Sequence, residues 1–267
     1  MKRTISGTAG SRADGRDRAA TNPELTEPTY RTWTPDPGIR PTGDGPVDIS
    51  DLPGRLIAVE GTDAAGRSTQ IALLREFLET RGFGVSHTGL TRGRLAGDGL
   101  KRAKAGSTLG QLTLNLFYAT DFADRLENEI LPALRAGFVV LTDRYVYSVL
   151  ARSIVRGMDE EWLRDVYRFA PPPHAVLYLK VSAETLVPRV LTRGRFDYWE
   201  SGLDFQEERD LYQSFVRYQK RLLKVFDDLA ERDGFQVIDA NRAVDEVFLD
   251  LRAAVERIVA SMKGANA

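Results

Sequence analysis

The residues most able to do chemistry are gathered in a nine-residue stretch, Gly61-Thr62-Asp63-Ala64-Ala65-Gly66-Arg67-Ser68-Thr69. Two glycines five positions apart let a backbone fold back so that its N–H groups converge on an anion. A basic residue and a hydroxyl follow at once. Ser68 could ligate Mg²⁺, and Arg67 carries the positive charge that phosphate oxygens require. The spacing is that of a phosphate-binding loop, with arginine where lysine is usual. Arginine keeps the charge but replaces a compact ammonium with a planar fork. A second group, Asp143-Arg144-Tyr145, closes another apolar run and puts a carboxylate beside a guanidinium. Asp121 and Arg125 stand four apart in a helical pattern, the spacing of an intrahelical ion pair.

Chemistry at a loop requires elements that hold the loop in place. Arg55–Glu60 is a short apolar run ending at Gly61, which suits a buried parallel strand. Residues 68–81 then carry apolar positions at helical spacing (Ile71, Leu74, Leu78) before Gly82. The same alternation continues down the chain. Strands are expected at 85–88, 138–142, 175–179 and 235–238. Helices are expected at 109–134, 145–155, 160–169, 183–192, 207–231 and 244–258. Strands alternating with helices imply an α/β fold, a five-stranded parallel sheet flanked by helices. Ligands in such sheets bind at the carboxyl ends of the strands, here occupied by Gly61, Thr88, Asp143 and Asp239.

Composition narrows the function classes. Lys and Arg total 37 against 38 Asp and Glu, so the net charge of -1 gives no general reason to bind nucleic acid or an anionic membrane. Any nucleotide site must be a local concentration of positive charge. Cysteine is absent, which removes disulfides and thiolate metal sites, and only His87 and His174 supply imidazoles. No apolar run approaches the roughly 20 residues that span a bilayer, and the first residues do not read as a secretory signal. A cytoplasmic location is expected. Residues 1–50 are rich in Gly, Pro, Thr, Arg and Asp without a periodic apolar pattern, and are expected to form a disordered tail. The folded domain is expected over residues 51–262, with a short tail at 263–267.

Taken together these stretches resemble the thymidylate kinase family of P-loop kinases. Ile57-Ala-Val-Glu60-Gly61-Thr-Asp63 is similar to that family's loop entry, and Thr91-Arg92-Gly93 to its short arginine loop after the second strand. Leu116-Phe117-Tyr118-Ala119-Thr120-Asp121 and Ile130-Leu-Pro-Ala-Leu134 resemble its long helix. Asp143-Arg144-Tyr145 with Ser148 resembles its Asp-Arg-Tyr signature, Arg156-Gly157-Met-Asp159 the loop that follows, and Val237-Ile-Asp239-Ala240 the adenine-side loop. The resemblance implies a P-loop NTPase fold and transfer of the ATP γ-phosphoryl group to dTMP with Mg²⁺. It also implies roles. Asp63 would face the acceptor sugar and its metal shell. Arg92 and Arg144 would grip the acceptor phosphate, and Tyr118 would stack on the base. Ser68 would serve the metal, and Asp143 would orient Arg144 or bind Mg²⁺ through water. Phe122 and Arg152 would stand on the acceptor side, and Arg67 would act on the donor phosphates. Residues 189–204 fall where the family has its lid, whose Arg189, Arg193 and Arg195 would bring cations to the transferring group on closure. The partners implied are small-molecule nucleotides, with a homodimer offered by apolar faces at 109–134 and 145–155.

The departures from the family pattern cluster on one function. Phe122 replaces an arginine that contacts the base, and Val149 and Arg152 replace polar and tyrosine residues that face it. Tyr198 replaces a lid arginine, and Lys180 an acidic residue. Phosphate-handling positions are kept better than base-reading ones. Three readings therefore stand: a dTMP kinase, a kinase for another pyrimidine or modified monophosphate, and a catalytically weak nucleotide-binding homologue in which Arg67 marks lost chemistry.

Overall fold

A computed structural model of the chain describes residues 45–90, 93, 96–106, 109–192, 202 and 210–265. Among the described residues there are five strands: β1 (Arg55–Glu60), β2 (Val85–Gly89), β3 (Val139–Asp143), β4 (Ala175–Lys180) and β5 (Gln236–Asp239). They form one parallel sheet in the order β2-β3-β1-β4-β5. The register sets Val59 beside Asp143 and Asp143 beside Gly89, so the carboxyl ends of the three strands finish in one row.

Period-two geometry sends alternate residues of each strand to opposite faces. Leu56, Ala58, Val140, Val176 and Tyr178 belong to one apolar layer; Ile57, Val59, Val139, Leu141, Leu177 and Leu179 belong to the other. Because both faces of the three central strands are covered, β1, β3 and β4 read as largely apolar runs, whereas the edge strands β2 and β5 are more polar and partly exposed. The first layer is closed by α3 (Gln111–Arg125), α5 (Val146–Val155) and α8 (Leu211–Arg232); the second by α1 (Arg67–Thr80), α7 (Ala183–Thr192) and α9 (Val244–Val259).

Three features depart from the expectations. The helix expected over 109–134 is α3, a π-helical turn at Leu126–Ile130 and α4 (Leu131–Arg135). Pro132 lies in the first turn of α4 and has no N–H to donate backward, so the widened turn stands where the ladder would be interrupted. A further helix, α2 (Gly97–Gly106), was not expected. Gly97, Gly99 and Gly106 weaken its propensity signal, and its anchor is the buried Leu100 against Leu114 of α3. The boundary expected at residue 50 also moves. Val47 and Ile49 are buried in the first apolar layer, and the Val47 N–H donates to the Phe169 carbonyl at 3.0 Å. Residues 1–44 lie outside the described residues. The remaining helix, α6 (Glu160–Val166), is capped by Asp159, which accepts from the Trp162 N–H at 2.8 Å.

Candidate active site

The phosphate loop leaves β1 and enters α1 through an unusual backbone. Gly61, Ala64 and Gly66 all have positive φ, at 148°, 61° and 97°. Gly61 admits no other residue cheaply, since an added Cβ would meet the Leu179 carbonyl oxygen at 2.9 Å. Ala64 holds a left-handed conformation that costs about 1 kcal/mol in an L-residue. The loop closes on itself where the Ala65 N–H donates to the Thr62 carbonyl at 3.3 Å, and it opens into the unpaired N–H groups of the α1 first turn.

Arg67 is folded into this frame. Its Nε donates to Asp143 Oδ1 at 2.8 Å, and its Nη1 donates to the carbonyls of Gly61, at 2.7 Å, and Thr62. The guanidinium thus ties the end of β1 to the end of β3, and Nη2 is the edge left out of these bonds. Asp143 turns its other oxygen toward Ser68, whose hydroxyl is 3.5 Å from Oδ2. Two oxygen donors from different elements therefore share one side of the loop, and Ser68 is exposed.

Next to it, joined through the Gly61 carbonyl that Arg67 and Arg144 both bond, lies a carboxylate between two guanidinium groups. Asp63 accepts from Arg144 Nη2 at 2.5 Å and from Arg152 Nη2 at 2.7 Å. Burial pushes the Asp63 carboxyl up, but the charges of Arg152, Arg144 and Arg67 outweigh it and hold the group well below its usual range. The two arginines differ. Burial and the neighbouring Arg67 push Arg144 down to about 10, whereas for Arg152 the Asp63 charge overcomes burial and raises it. Both stay cationic at neutral pH. The cluster of Asp63, Arg144 and Arg152 thus keeps one surplus positive charge, as a site for a second phosphate requires.

Arg144 reaches this place through strain. Its φ is 71°, the other non-glycine value in the left-handed region among the described residues. Its N–H donates to the Val59 carbonyl at 3.0 Å, and Thr142 Oγ1 donates to its carbonyl at 2.7 Å. Its Nη1 donates to Gly61 O at 3.1 Å and to Ser148 Oγ at 3.2 Å. The residue adjacent in sequence, Asp143, pairs with Arg67 instead of orienting Arg144, because the turn throws the two side chains apart.

Sequence reasoning placed Asp63, Arg67, Ser68, Asp143, Arg144 and Arg152 in one site, and the structure brings these six together. Tyr118, half-buried on α3, packs at the edge of the first apolar layer and lies within electrostatic reach of Arg152. Phe122 is a correction. Its ring is wholly buried among Tyr145, Tyr167 and Phe169, with the Tyr145 centroid 5.0 Å away edge to face. It serves the core and presents no surface to an acceptor. Arg92, Arg193 and Arg195 lie outside the described residues. Of the expected lid, Arg189 donates to the Ala240 carbonyl at 3.0 Å, which joins α7 to the loop after β5.

Two participants were missed. Glu60, at the end of β1, is a wholly buried carboxylate. Burial pushes its carboxyl up, against the opposing effect of bonds from Ser148 and Tyr145. A charged residue closing an otherwise apolar buried strand was the available signal. The other is Asp121. It pairs with Arg125 as the spacing suggested, at 3.2 Å with both side chains fully buried, but it also accepts from the Gly93 N–H at 3.0 Å. An added Cβ at Gly93 would lie 2.6 Å from that Asp121 oxygen, which explains a glycine directly after Arg92.

The thymidylate kinase family model matches residues 59–250. A probable thymidylate kinase 2 of Saccharolobus solfataricus is 38% identical over 201 residues, covering 74% of this chain and 94% of that protein. A probable thymidylate kinase of Pyrococcus abyssi is 30% identical over 209 residues, covering 76% and 96%. Another, of Archaeoglobus fulgidus, is 32% identical over 216 residues, covering 79% and 100%. The matched span runs from β1 into α9 and so includes the loop, the strand ends and the arginine cluster; the chain belongs to the thymidylate kinase family.

Proposed function

We propose that the chain transfers the γ-phosphoryl group of ATP to dTMP, giving dTDP and ADP. The observation that carries this reading is the pairing of Asp63, a residue of the phosphate loop, with Arg144 and Arg152. It sets an arginine cluster with surplus positive charge directly against the loop, so that a second phosphate can be held beside the donor phosphates. An acceptor phosphate oxygen attacks the γ-phosphorus in line, the bond to the bridging oxygen breaks, and ADP departs. The protein forms no covalent bond in such a transfer; it positions the groups and neutralises charge. The loop N–H groups and Arg67 would hold the donor phosphates, while Arg144 and Arg152 would draw the acceptor phosphate. Tyr118 would support the base. Arg92, Arg193 and Arg195 complete the proposal as further cations.

Mg²⁺ fits the residues present. Ser68 and Asp143 offer hard oxygen donors on the same side of the loop. Among the described residues no three His, Asp or Glu side chains gather, so phosphates and water would complete the coordination. When bound, the ion would offset the charge of the donor phosphates. Among the described residues no helix is long and apolar enough to cross a membrane, and the reading places the enzyme in the cytoplasm, with its donor. A homodimer is supported by the exposed apolar stripe of Leu112, Leu116 and Phe117 on α3.

One observation favours a second reading, a kinase for another monophosphate. Arg152 occupies Asp63, and Phe122 is withdrawn into the core, so the base-facing surface departs from the family pattern. An ADP-release assay with ATP, Mg²⁺ and a panel of monophosphates decides between them. Highest kcat/KM with dTMP is expected; a clear preference for another acceptor would overturn the assignment, and no turnover with any would leave a binding protein. Within that assay Arg144→Ala should lower kcat/KM for the acceptor by the equivalent of roughly 2–4 kcal/mol with ATP affinity little changed.

A further inference from the structure

We propose that Glu60 is a positioning residue, which fixes the turn carrying Arg144 and, through Ser148, the direction in which the Arg144 guanidinium points. The inference rests on the kinase reading, in which Arg144 grips the acceptor phosphate. Strand parity places Glu60 on the same face of the sheet as Leu56 and Ala58, beneath the start of α5. There its Oε1 accepts from the backbone N–H groups of Tyr145, at 2.8 Å, and Ser148, at 3.2 Å. Tyr145 is the N-cap residue of α5 and makes no side-chain cap bond itself. A carboxylate from another strand therefore does the capping and complements the helix dipole. Because Tyr145 follows Arg144 directly, the same bonds hold the left-handed Arg144 backbone in place.

The second carboxylate oxygen reaches the guanidinium through one hydroxyl. Ser148 Oγ lies 2.5 Å from Glu60 Oε2 and 3.2 Å from Arg144 Nη1. A hydroxyl has a single proton, and a guanidinium can only donate. Ser148 must therefore turn a lone pair toward Arg144, which leaves its proton for Glu60. Glu60 thus sets the polarity of the Ser148 hydroxyl and the anchor of Nη1, leaving Nη2 aimed at Asp63 and the acceptor side. Glutamine has the same shape but carries N–H donors where Ser148 now donates. Its amide would donate to Ser148, so the hydroxyl proton would lose its acceptor and nothing would fix the lone pair that receives Arg144 Nη1. Glu60 itself is wholly buried and acts only through Ser148 and the turn.

The test uses the full chain and compares wild type with Glu60→Gln, Ser148→Ala and the double variant. Calorimetric affinities for dTMP and thymidine isolate the contribution of the acceptor phosphate, and steady-state kinetics with Mg-ATP and dTMP follow turnover. In Glu60→Gln the preference for dTMP over thymidine should fall about tenfold or more, with kcat falling in parallel. KM for ATP should be unchanged. Ser148→Ala should show the same loss of preference, and the double variant should be no worse than the weaker single one, since both cut one chain of contacts. A Glu60→Gln protein that melts earlier but keeps the wild-type preference and kcat would make Glu60 a helix cap alone and overturn the proposal. If Glu60→Gln does not fold, Ser148→Ala, which removes one hydroxyl, decides by the same ratio. A wild-type chain that binds dTMP no better than thymidine would instead remove the kinase reading, and the proposal with it.

Discussion

Arg67 shows how far one residue type can alter a motif without abolishing it. Its guanidinium reaches the Asp143 carboxylate from Nε and two loop carbonyls from Nη1, where an ammonium would have to bring all three acceptors to one nitrogen. The loop around it is built for a fork, which argues for adaptation and against decay. Arg67→Lys is therefore expected to lower kcat about tenfold with little change in the ATP KM, because charge is kept while the brace between β1 and β3 is lost. A rise in kcat would identify the arginine as a damaged lysine. Asp63 offers a prediction in pH. Its folded pKa lies below the ordinary value of 3.8, so the unfolded chain binds the proton more readily. The stability it contributes is present above that value and is lost as pH falls through it toward the folded pKa. Asp63→Asn leaves Arg144 and Arg152 facing each other uncompensated. The variant should be less stable than wild type at neutral pH, and the gap should narrow as pH drops below about 4. A gap independent of pH, measured by urea unfolding, would mean that the pairing contributes little.

At the scale of elements, the first secure contacts of the domain precede its first strand. Val47 and Ile49 are 7% and 4% exposed, and Val47 is also fixed by its backbone bond to Phe169. Burying two such side chains is worth roughly 3–6 kcal/mol in transfer terms. Removing residues 1–44 is expected to leave the melting temperature and turnover near wild type, because that stretch carries no core-forming pattern. Removing residues 1–50 should lower the melting temperature by several degrees. Calorimetry on the two truncations distinguishes these outcomes, and equal melting temperatures would show that the Val47 and Ile49 contacts are dispensable. The sequence left these residues unmarked because two apolar positions outside any helix or strand have no periodicity to betray them. The π turn in the long helix was equally hidden. Its cause, Pro132, is visible, yet whether a proline ends a helix or widens it depends on what packs around it.

For the molecule as a whole, the question left by the fold is what covers α3. Leu112, Leu116 and Phe117 are 56%, 46% and 39% exposed along one stripe, a costly surface for a chain with buried apolar layers elsewhere. If a second copy covers it, Leu116→Asp should convert a dimer to a monomer in sedimentation experiments and leave the melting curve concentration-independent. A wild-type chain that sediments as a monomer at all concentrations would leave the stripe to another role. Both sides of the sheet contribute to the site from one edge. The parallel order brings β1, β3 and β2 to the same row, so residues some 80 positions apart, such as Asp63 and Arg144, meet directly.

The sequence by itself determined the class of fold, because strands buried on both faces and helices buried on one carry different apolar periods. It also determined the phosphate loop and the residues at the ends of β1 and β3, since glycine spacing and charge at strand ends are local signals. Which charge faces which was decided only by tertiary structure. Asp143 and Arg144 are neighbours in sequence, yet a left-handed turn separates them, and each finds its partner on another strand's loop. Phe122 and Glu60 exchange their apparent roles for the same reason. A position on a helix or strand states which face a side chain takes, but whether that face meets core, solvent or a helix end depends on the packing of elements distant in the chain.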